Sequence, residues 1–298
     1  SRDVLQNLNN AANTTNVGDL EYLVNCGEKI DEKSSIMGAA PIHKAVVSTN
    51  TPVDKKKMID TIHKCNADMN IVDANGWTAL HHAAHNGDLA SVNQLISVKA
   101  DINAVSNQFK TPLHFAALNN HRDVVESLIK AGCNLEPKDE LHCTPLHLAC
   151  RKGSDACLQL LLQKGANIMA LDNRSWTPLH YASYNGHASA VNFLLKWEAD
   201  FDKLSSVRNS QNRTAFIISK DQKVKKGFNH MWQACKEGNL DMVRILVREG
   251  ESPSAKTQNL ENTPMHIAAQ HGHYLIVKFL LEIGCSPGAI NGEGLTPR

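Results

Sequence analysis

Residues 111–143 read Thr-Pro-Leu-His-Phe-Ala-Ala-Leu-Asn-Asn-His-Arg-Asp-Val-Val-Glu-Ser-Leu-Ile-Lys-Ala-Gly-Cys-Asn-Leu-Glu-Pro-Lys-Asp-Glu-Leu-His-Cys. Thr111 suits a helix N-cap, and Pro112 suits the first turn, where a missing N–H leaves no bond unmade. Leu113 faces inward, and the small Ala116 and Ala117 let a second helix approach closely. Asn119-Asn120-His121 makes a short turn. Val124, Val125, Leu128 and Ile129 recur at helical spacing and give the second helix an apolar stripe. Gly132 ends that helix in the left-handed region, and Asn134-Leu135 begins an extended return to the next Thr. A unit this small cannot bury its stripe alone, so it needs a neighbour on each side.

The neighbours are in the sequence. Thr144-Pro145-Leu146-His147 and Thr177-Pro178-Leu179-His180 follow at equal intervals. Variants occur at Ala40-Pro41-Ile42-His43, Thr78-Ala79-Leu80-His81 and Thr263-Pro264-Met265-His266, and a last Thr296-Pro297 lies the same interval after Thr263. This tetrapeptide, repeated at a fixed period of about 33 residues, resembles the ankyrin-repeat family over nearly the whole chain. The resemblance implies an all-α repeat solenoid of helix-turn-helix units joined by β-hairpin or loop fingers, about eight units plus a terminal fragment.

The array is not uniform. Residues 1–207 hold the first six units. The first is a degenerate cap, with Ala11-Ala12, Gly18-Asp19, Leu23-Val24 and Gly27 taken as its slots. The second is enlarged: Ala40 and Thr78 stand further apart than Thr78 and Thr111, and the surplus near Ser48–Lys57 is expected to lengthen the turn between its helices. Residues 208–228 read as an irregular insertion or a decayed repeat starting at Thr214-Ala215-Phe216-Ile217, a place for a bend. Residues 229–298 begin afresh near Asn229 and hold two units plus the fragment, with Ala234, Gly238-Asn239, Val243, Leu246-Val247 and Gly250 in register. Lys99 and Glu198 replace the glycine that ends helix two, at a cost of about 1 kcal/mol for a non-glycine left-handed residue.

Composition narrows the function classes. Of 298 residues, 42% are hydrophobic and 20% charged, enough to build a core and too little charge for disorder. The net charge of +1 argues against bulk nucleic-acid or anionic-membrane binding, although it permits a local basic patch. Eight cysteines form neither a C-x-x-C pair nor a zinc pattern, and read as reduced thiols, mostly buried, of an intracellular, cytoplasmic protein. No apolar run reaches the length of a membrane span. The start at Ser1-Arg2 without Met suggests a part of a longer protein.

Candidate chemistry resolves into packing. His81 and His85 stand one helical turn apart but lack the Glu of a zinc-protease helix. His81 is the fourth residue of the tetrapeptide, a slot shared with His43, His114, His147, His180 and His266, and is expected to brace backbone between units. His121, His187 and His273 recur in the turn slot. Cys150 and Cys157 near His147 could suggest a thiol nucleophile, but Cys150 falls in the tight second alanine slot. Asp139-Glu140 reads as a solvated pair on an exposed fingertip. No phosphate-binding glycine loop or calcium loop is present. No metal, cofactor or catalytic residue is therefore assigned, and the chain is read as a non-enzyme.

The resemblance implies partner binding on a concave face made by fingertips and first helices. Carried over slot by slot, it nominates Trp77, His85 and Asn86 in the third unit, Lys110 in the fourth, and Arg151 and Lys152 in the fifth. Arg174, Trp176, Tyr184 and Asn185 follow in the sixth. Leu141 and Cys143 occupy equivalent slots in the fifth, as do Asn259, Leu260, Asn262, Gln270 and His271 in the last. Trp, Tyr and Arg dominate interface hot spots, so Trp77, Trp176, Tyr184, Arg151 and Arg174 are the expected anchors. Lys55-Lys56-Lys57 and the run from Lys220 through Lys223, Lys225 and Lys226 offer secondary contacts to an acidic surface. The expected role is a protein–protein interaction scaffold or adaptor; the alternative is a regulatory or targeting domain of a larger enzyme or membrane channel.

Overall fold

The computed structural model describes residues 2–34, 37–197, 204–205, 207–221, 230–248, 251–257 and 260–297. Glu198, Lys223, Lys225, Lys226, Asn229, Gly250 and Asn259 lie outside the described residues. The chain divides into two compact bodies, Ser1–Lys225 and Lys226–Arg298.

In the first body, helices come in pairs: α1 (Arg2–Asn13) with α2 (Val17–Asn25), α3 (Pro41–Val47) with α4 (Pro52–Lys64), and α5 (Ala79–Asn86) with α6 (Leu89–Ser97). They continue with α7 (Pro112–Leu118) and α8 (Arg122–Lys130), α9 (Pro145–Lys152) and α10 (Asp155–Gln163), then α11 (Pro178–Tyr184) and α12 (Ala188–Trp197). A single-turn helix, α13 (Ala215–Ile218), follows. Odd-numbered helices pack on one another in sequence as one layer, and even-numbered helices α2 to α12 form the second. The second body repeats the scheme with α14 (His230–Lys236) and α15 (Leu240–Arg248), then α16 (Pro264–Gln270) and α17 (Tyr274–Glu282). Among the described residues there is no strand, so the fingers between units are loops.

The alanine pairs set the spacing of the first layer. Ala83, Ala84, Ala116, Ala117, Ala149 and Cys150 are completely buried. Helices carrying only a Cβ at the contact can close to the short end of the usual interaxial range. Val124, Val125 and Leu128 are buried beneath them, as are their counterparts Val92 and Leu95 and, two repeats on, Val191 and Leu194.

The tetrapeptide histidine joins each unit to the next. In all six cases its Nδ1 accepts the N–H of the residue that opens its own helix, from Ala40 at 3.0 Å to Thr263 at 3.2 Å. Nδ1 accepts, so Nε2 carries the proton. It donates to the carbonyl just before the next unit's opening residue: Trp77, Lys110, Cys143, Trp176, Arg213 and Leu295 at 2.9–3.2 Å. The ring thus caps the helix more directly than the threonine does. The Thr78 and Thr177 hydroxyls reach the backbone N–H of His81 and His180 only at 3.4 Å.

The turn-slot histidine makes a second joint. His121, His187 and His273 donate Nε2–H to the carbonyls of His85, Arg151 and Lys236 at 3.0, 3.1 and 2.8 Å. Each ring lies on a left-handed glycine of the preceding unit: a Cβ on Gly87, Gly153 or Gly238 would come within 2.5–2.6 Å of it. Lys99, in the slot that ends helix two, adopts a left-handed φ of 63°, as expected.

Three sequence expectations need correction. The turn between α3 and α4, at 48–51, is only one residue longer than that at 119–121, and the surplus of the second unit goes mostly elsewhere. It extends α4 to 13 residues, against 9 in α6, α8 and α10. Thr51 caps α4 by accepting the Asp54 N–H, and Pro52 occupies the first turn, so an added helical turn is the lower-energy use of those residues. Lys55–Lys57 are therefore helical. Lys55 is committed internally, with Nζ 2.8 Å from Asp88 Oδ2 and 3.0 Å from the Val46 carbonyl. In the first unit, Gly18 lies inside α2 and Thr15 takes the left-handed turn slot at φ 53°, followed by Asn16 as N-cap. Asp139 is not solvated; it is 4% exposed and braces its finger, as described below.

The region read as a decayed repeat holds an ordinary finger. Thr214 caps α13, and Arg213 receives the His180 bond.

The brackets make stability sensitive to acid. Burial, outweighing the hydrogen bonds to carbonyls, lowers His43, His147 and His180 below the usual 6.5 and brings His81 and His114 down to about 4. The unfolded chain takes up these protons below about pH 6.5, whereas the folded chain resists them, so stability is complete above that pH and lost as pH falls toward 4. Urea unfolding between pH 7 and 4.5 should show a loss of up to about 1.4 kcal/mol per pH unit for each such histidine; a flat profile contradicts the bracket. A second comparison isolates the glycine–histidine joint. Gly132→Ala, with nothing near its Cβ, should cost about 1 kcal/mol of strain. Gly153→Ala should cost roughly 2–3 kcal/mol in the same urea titration, because it also displaces His187.

Candidate functional site

Each finger is tied by one short polar side chain at its base. Asp73 Oδ1 accepts the N–H groups of Asn75 and Trp77 at 2.8 and 2.9 Å. Asp139 accepts those of Leu141 and Cys143, both at 2.9 Å. Asp172 does the same for Arg174 and Trp176, and Ser106, Asn209 and Asn291 repeat the pattern in their own fingers. This is why Asp139 is buried: its lone pairs replace the ladder a hairpin would supply.

Adjacent fingers are linked by one backbone bond each. Ala74 donates to the Met37 carbonyl, Asn107 to Asn75, Glu140 to Gln108, Asn173 to Leu141 and Ser210 to Arg174, at 3.0–3.1 Å. The fingertips of the first body are therefore a continuous, evenly spaced row. In the second body Gly292 donates to the Leu260 carbonyl at 2.8 Å.

The nominated residues of units three to six lie along this row and the adjoining ends of α5, α7, α9 and α11. Trp77 is half-buried against His82, His85 and Phe115, with ring centroids 5.0, 5.3 and 4.3 Å away. It therefore packs its finger onto two successive first helices. His85 is half-buried, with Nδ1 3.0 Å from Asn119 Nδ2, while Asn86 is exposed. Lys110 is half-buried and donates to Gln108 Oε1 at 2.8 Å. Arg151 and Lys152 are exposed in the last turn of α9. Asn185 is exposed and returns its amide to the Tyr181 carbonyl at 2.8 Å.

Unit six carries a pre-shaped cluster. Tyr181 donates its hydroxyl to Asp172 Oδ2 at 2.9 Å and accepts from Arg174 Nη2 at 2.9 Å. This holds the Arg174 guanidinium 4.9 Å from the Trp176 ring centre. Trp176 in turn packs on Tyr184 at 5.4 Å. Tyr184 is 52% exposed, so it presents its ring outward with its orientation already set. The slot-based nomination of Cys143 fails: it is buried, 3.3 Å from the Tyr181 hydroxyl, and burial pushes its thiol up to about 11. Leu260, Asn262, Gln270 and His271 belong to the second body.

One residue escaped the sequence reading. Phe109 sits at the tip of the fourth finger with φ 56° and is 59% exposed. Gly76 holds the same slot one unit earlier at φ 74°. A bulky side chain in the left-handed region is strained and gains no burial here. The signal was present in the period: Phe109 follows Gly76 by one full repeat, as Thr111 follows Thr78.

Other chemistry is committed to structure. Both ring nitrogens of His81 and of His147 are bonded to backbone. Cys150 is fully buried with its thiol held well above the ordinary range, and burial raises Cys157 to about 12. All eight cysteines are free.

Comparison with known proteins agrees with this geometry. The family profile for ankyrin repeats in three copies matches residues 53–139, 133–205 and 206–291. Alpha-latrotoxin-Lg1a of Latrodectus geometricus is 39% identical over 62 residues, which is 21% of this chain and 4% of the toxin. The potassium channel KOR1 of Oryza sativa subsp. japonica is 36% identical over 69 residues, covering 23% of this chain and 8% of the channel. Ankyrin repeat domain-containing protein 39 of Homo sapiens is 37% identical over 54 residues, 18% of this chain and 29% of that protein. The chain thus spans only a small part of these relatives. Among solved structures, the ankyrin repeat domain of Bcl-3 superposes with a TM-score of 0.63 at 26% identity, covering 74% of this chain and 96% of that one.

Phe109→Gly should raise stability by roughly 0.5–1 kcal/mol, because it relieves left-handed strain without opening a cavity. Thermal unfolding checks this; a loss of stability would show that Phe109 packs in the folded chain.

Proposed function

The chain belongs to the ankyrin-repeat family, and on that premise we propose that it is a non-catalytic docking module holding a partner protein on the fingertip and first-helix face of units three to six. Ankyrin repeats generally mediate protein–protein interaction. The observation that carries this assignment is the unit-six cluster, where Arg174, Trp176 and the outward Tyr184 are oriented by Tyr181 and Asp172. Such pre-organised aromatic and arginine groups lower the ordering cost of binding. In the concave-face arrangement of the family, Asn86, Arg151, Lys152 and Asn185 flank that anchor. Trp77, Lys110 and His85 support it from within the stack.

A second reading has its own support: a regulatory or targeting segment of a larger enzyme or channel. The matched relatives include a potassium channel and latrotoxins in which the similar segment is 8% or less of the whole. Among the described residues no helix is long and apolar enough to cross a membrane, so any membrane segment would lie elsewhere. Free thiols throughout support an intracellular setting.

Tyr184→Ala should leave the melting temperature nearly unchanged, because the ring is half exposed, yet weaken partner binding. With Trp176→Ala added, binding should fall by at least about 2 kcal/mol. Calorimetric titration of a partner isolated from source-cell extract reads this out. Unchanged affinity in a folded double variant removes the assignment.

A further inference from the structure

The near-zero net charge hides an uneven distribution. Along the fingertip row and first-helix ends of units four to six and the finger at 207–213 stand Lys110, Arg151, Lys152, Arg174 and Arg213, against Glu140 as the exposed acid. Asp139 and Asp172 belong to the same fingers but are buried and spend their oxygens on finger N–H groups. Asp172 also lies 3.7 Å from Arg174 Nε and offsets part of that charge. Asp221 is set back against Gly186, 3.4 Å from where its Cβ would be. Lys110, Arg151, Lys152 and Arg213 form no ion pair among the described residues. Arg151 and Lys152 suit the C-terminal end of α9, but a helix dipole does not neutralise them.

Apolar groups interrupt this basic row. Phe109 is 59% exposed at one fingertip and Leu141 is 39% exposed at the next. Their fingers are joined by the Glu140 N–H bond to the Gln108 carbonyl. Tyr184 stands beyond them on α11. Cations spaced by apolar side chains, with fixed backbone between, complement a chain that alternates carboxylates with apolar residues. Electrostatic complementarity of this kind sets partner choice and encounter rate.

We propose that the fingertip face of units four to six, continued by the finger at 207–213, binds an acidic peptide segment of its partner, with Phe109, Leu141 and Tyr184 taking apolar side chains and Arg151, Lys152 and Arg213 taking carboxylates. This rests on the docking face assigned above and specifies the chemistry of its ligand. The same tip slot is left-handed at His142, Ser175 and Asn212 in the following fingers, so what sets Phe109 apart is its exposed ring and not its backbone.

The test is to pan a random 16-residue peptide display library against the full 298-residue chain. Selected peptides should be enriched in Asp and Glu over the unselected library and carry at least one large apolar residue. Their affinity, measured by fluorescence anisotropy, should fall at least about tenfold between 50 and 500 mM NaCl, as screening shortens the Debye length from about 14 to 4 Å. It should fall by a similar factor on Arg151→Glu/Lys152→Glu, and more mildly on Arg151→Gln/Lys152→Gln. It should be unchanged on Lys130→Glu/Lys164→Glu, which alters exposed cations at the ends of α8 and α10 in the second-helix layer. Thermal melts of each variant confirm folding. Neutral or basic selected peptides, no selectable peptide, equal affinity for the Arg151/Lys152 variants, or tighter binding to poly(U) RNA than to any peptide would each overturn the proposal. Selected peptides without acidic bias that still lose binding on Trp176→Ala/Tyr184→Ala would reject the acidic ligand while leaving the docking face in place. Loss on neither variant pair rejects both.

Discussion

The buried imidazole of the tetrapeptide carries the architecture. It is neutral, and each of its two nitrogens does a different task. One accepts the N–H that starts its own helix, and the other donates to the carbonyl preceding the next unit's opening residue. A side chain that donated only, such as lysine, could not do both. One that carried charge would face a large desolvation cost in this position. The bracket spans 29 residues in one unit and 34 in another, so it holds even where the repeat length changes. Ala40 shows that the bond needs only the backbone N–H of the capping residue, since Ala40 has no hydroxyl.

The rest of the face depends on that fixed spacing. The bracketed carbonyl belongs to the last residue of a finger, and the finger is tied at its base by an aspartate, serine or asparagine. Neighbouring fingers then meet through a single backbone bond. Side chains presented from the row inherit their positions from these backbone constraints. In the sixth unit a second polar network, Asp172–Tyr181–Arg174, also sets side-chain orientation. A partner meeting this surface would encounter little that must be ordered on binding, which is where a solenoid gains affinity without a large hydrophobic patch.

The departures from regularity have separate physical roles. The longer α4 brings Lys55 under the N-cap of α6. Burial alone would raise Asp88; the Lys55 ammonium and Ser91 donors outweigh it and hold the carboxyl below its usual range. That joint replaces a turn-slot histidine, which the third unit lacks. The Phe109 tip keeps the left-handed backbone that His142, Ser175 and Asn212 share and differs in presenting an exposed aromatic ring.

The sequence by itself determined the period, the helix pairs, the buried stripes and the roles of the recurring histidines and end-of-helix glycines. Caps, apolar stripes and left-handed glycines are local rules that act within a few residues, and repetition makes each legible several times over. The cap at Thr51-Pro52-Val53-Asp54 was equally local, and the enlarged unit was misread only because its surplus was assigned to a turn. What the tertiary structure alone decided concerns residues about one repeat apart. It paired Lys55 with Asp88, set His187 against Gly153, buried Cys143 beside the Tyr181 hydroxyl, and placed Trp77 between two first helices. Burial of a polar side chain depends on what the adjacent unit supplies to it. That information is distributed between repeats, so reading one repeat at a time could not reach it.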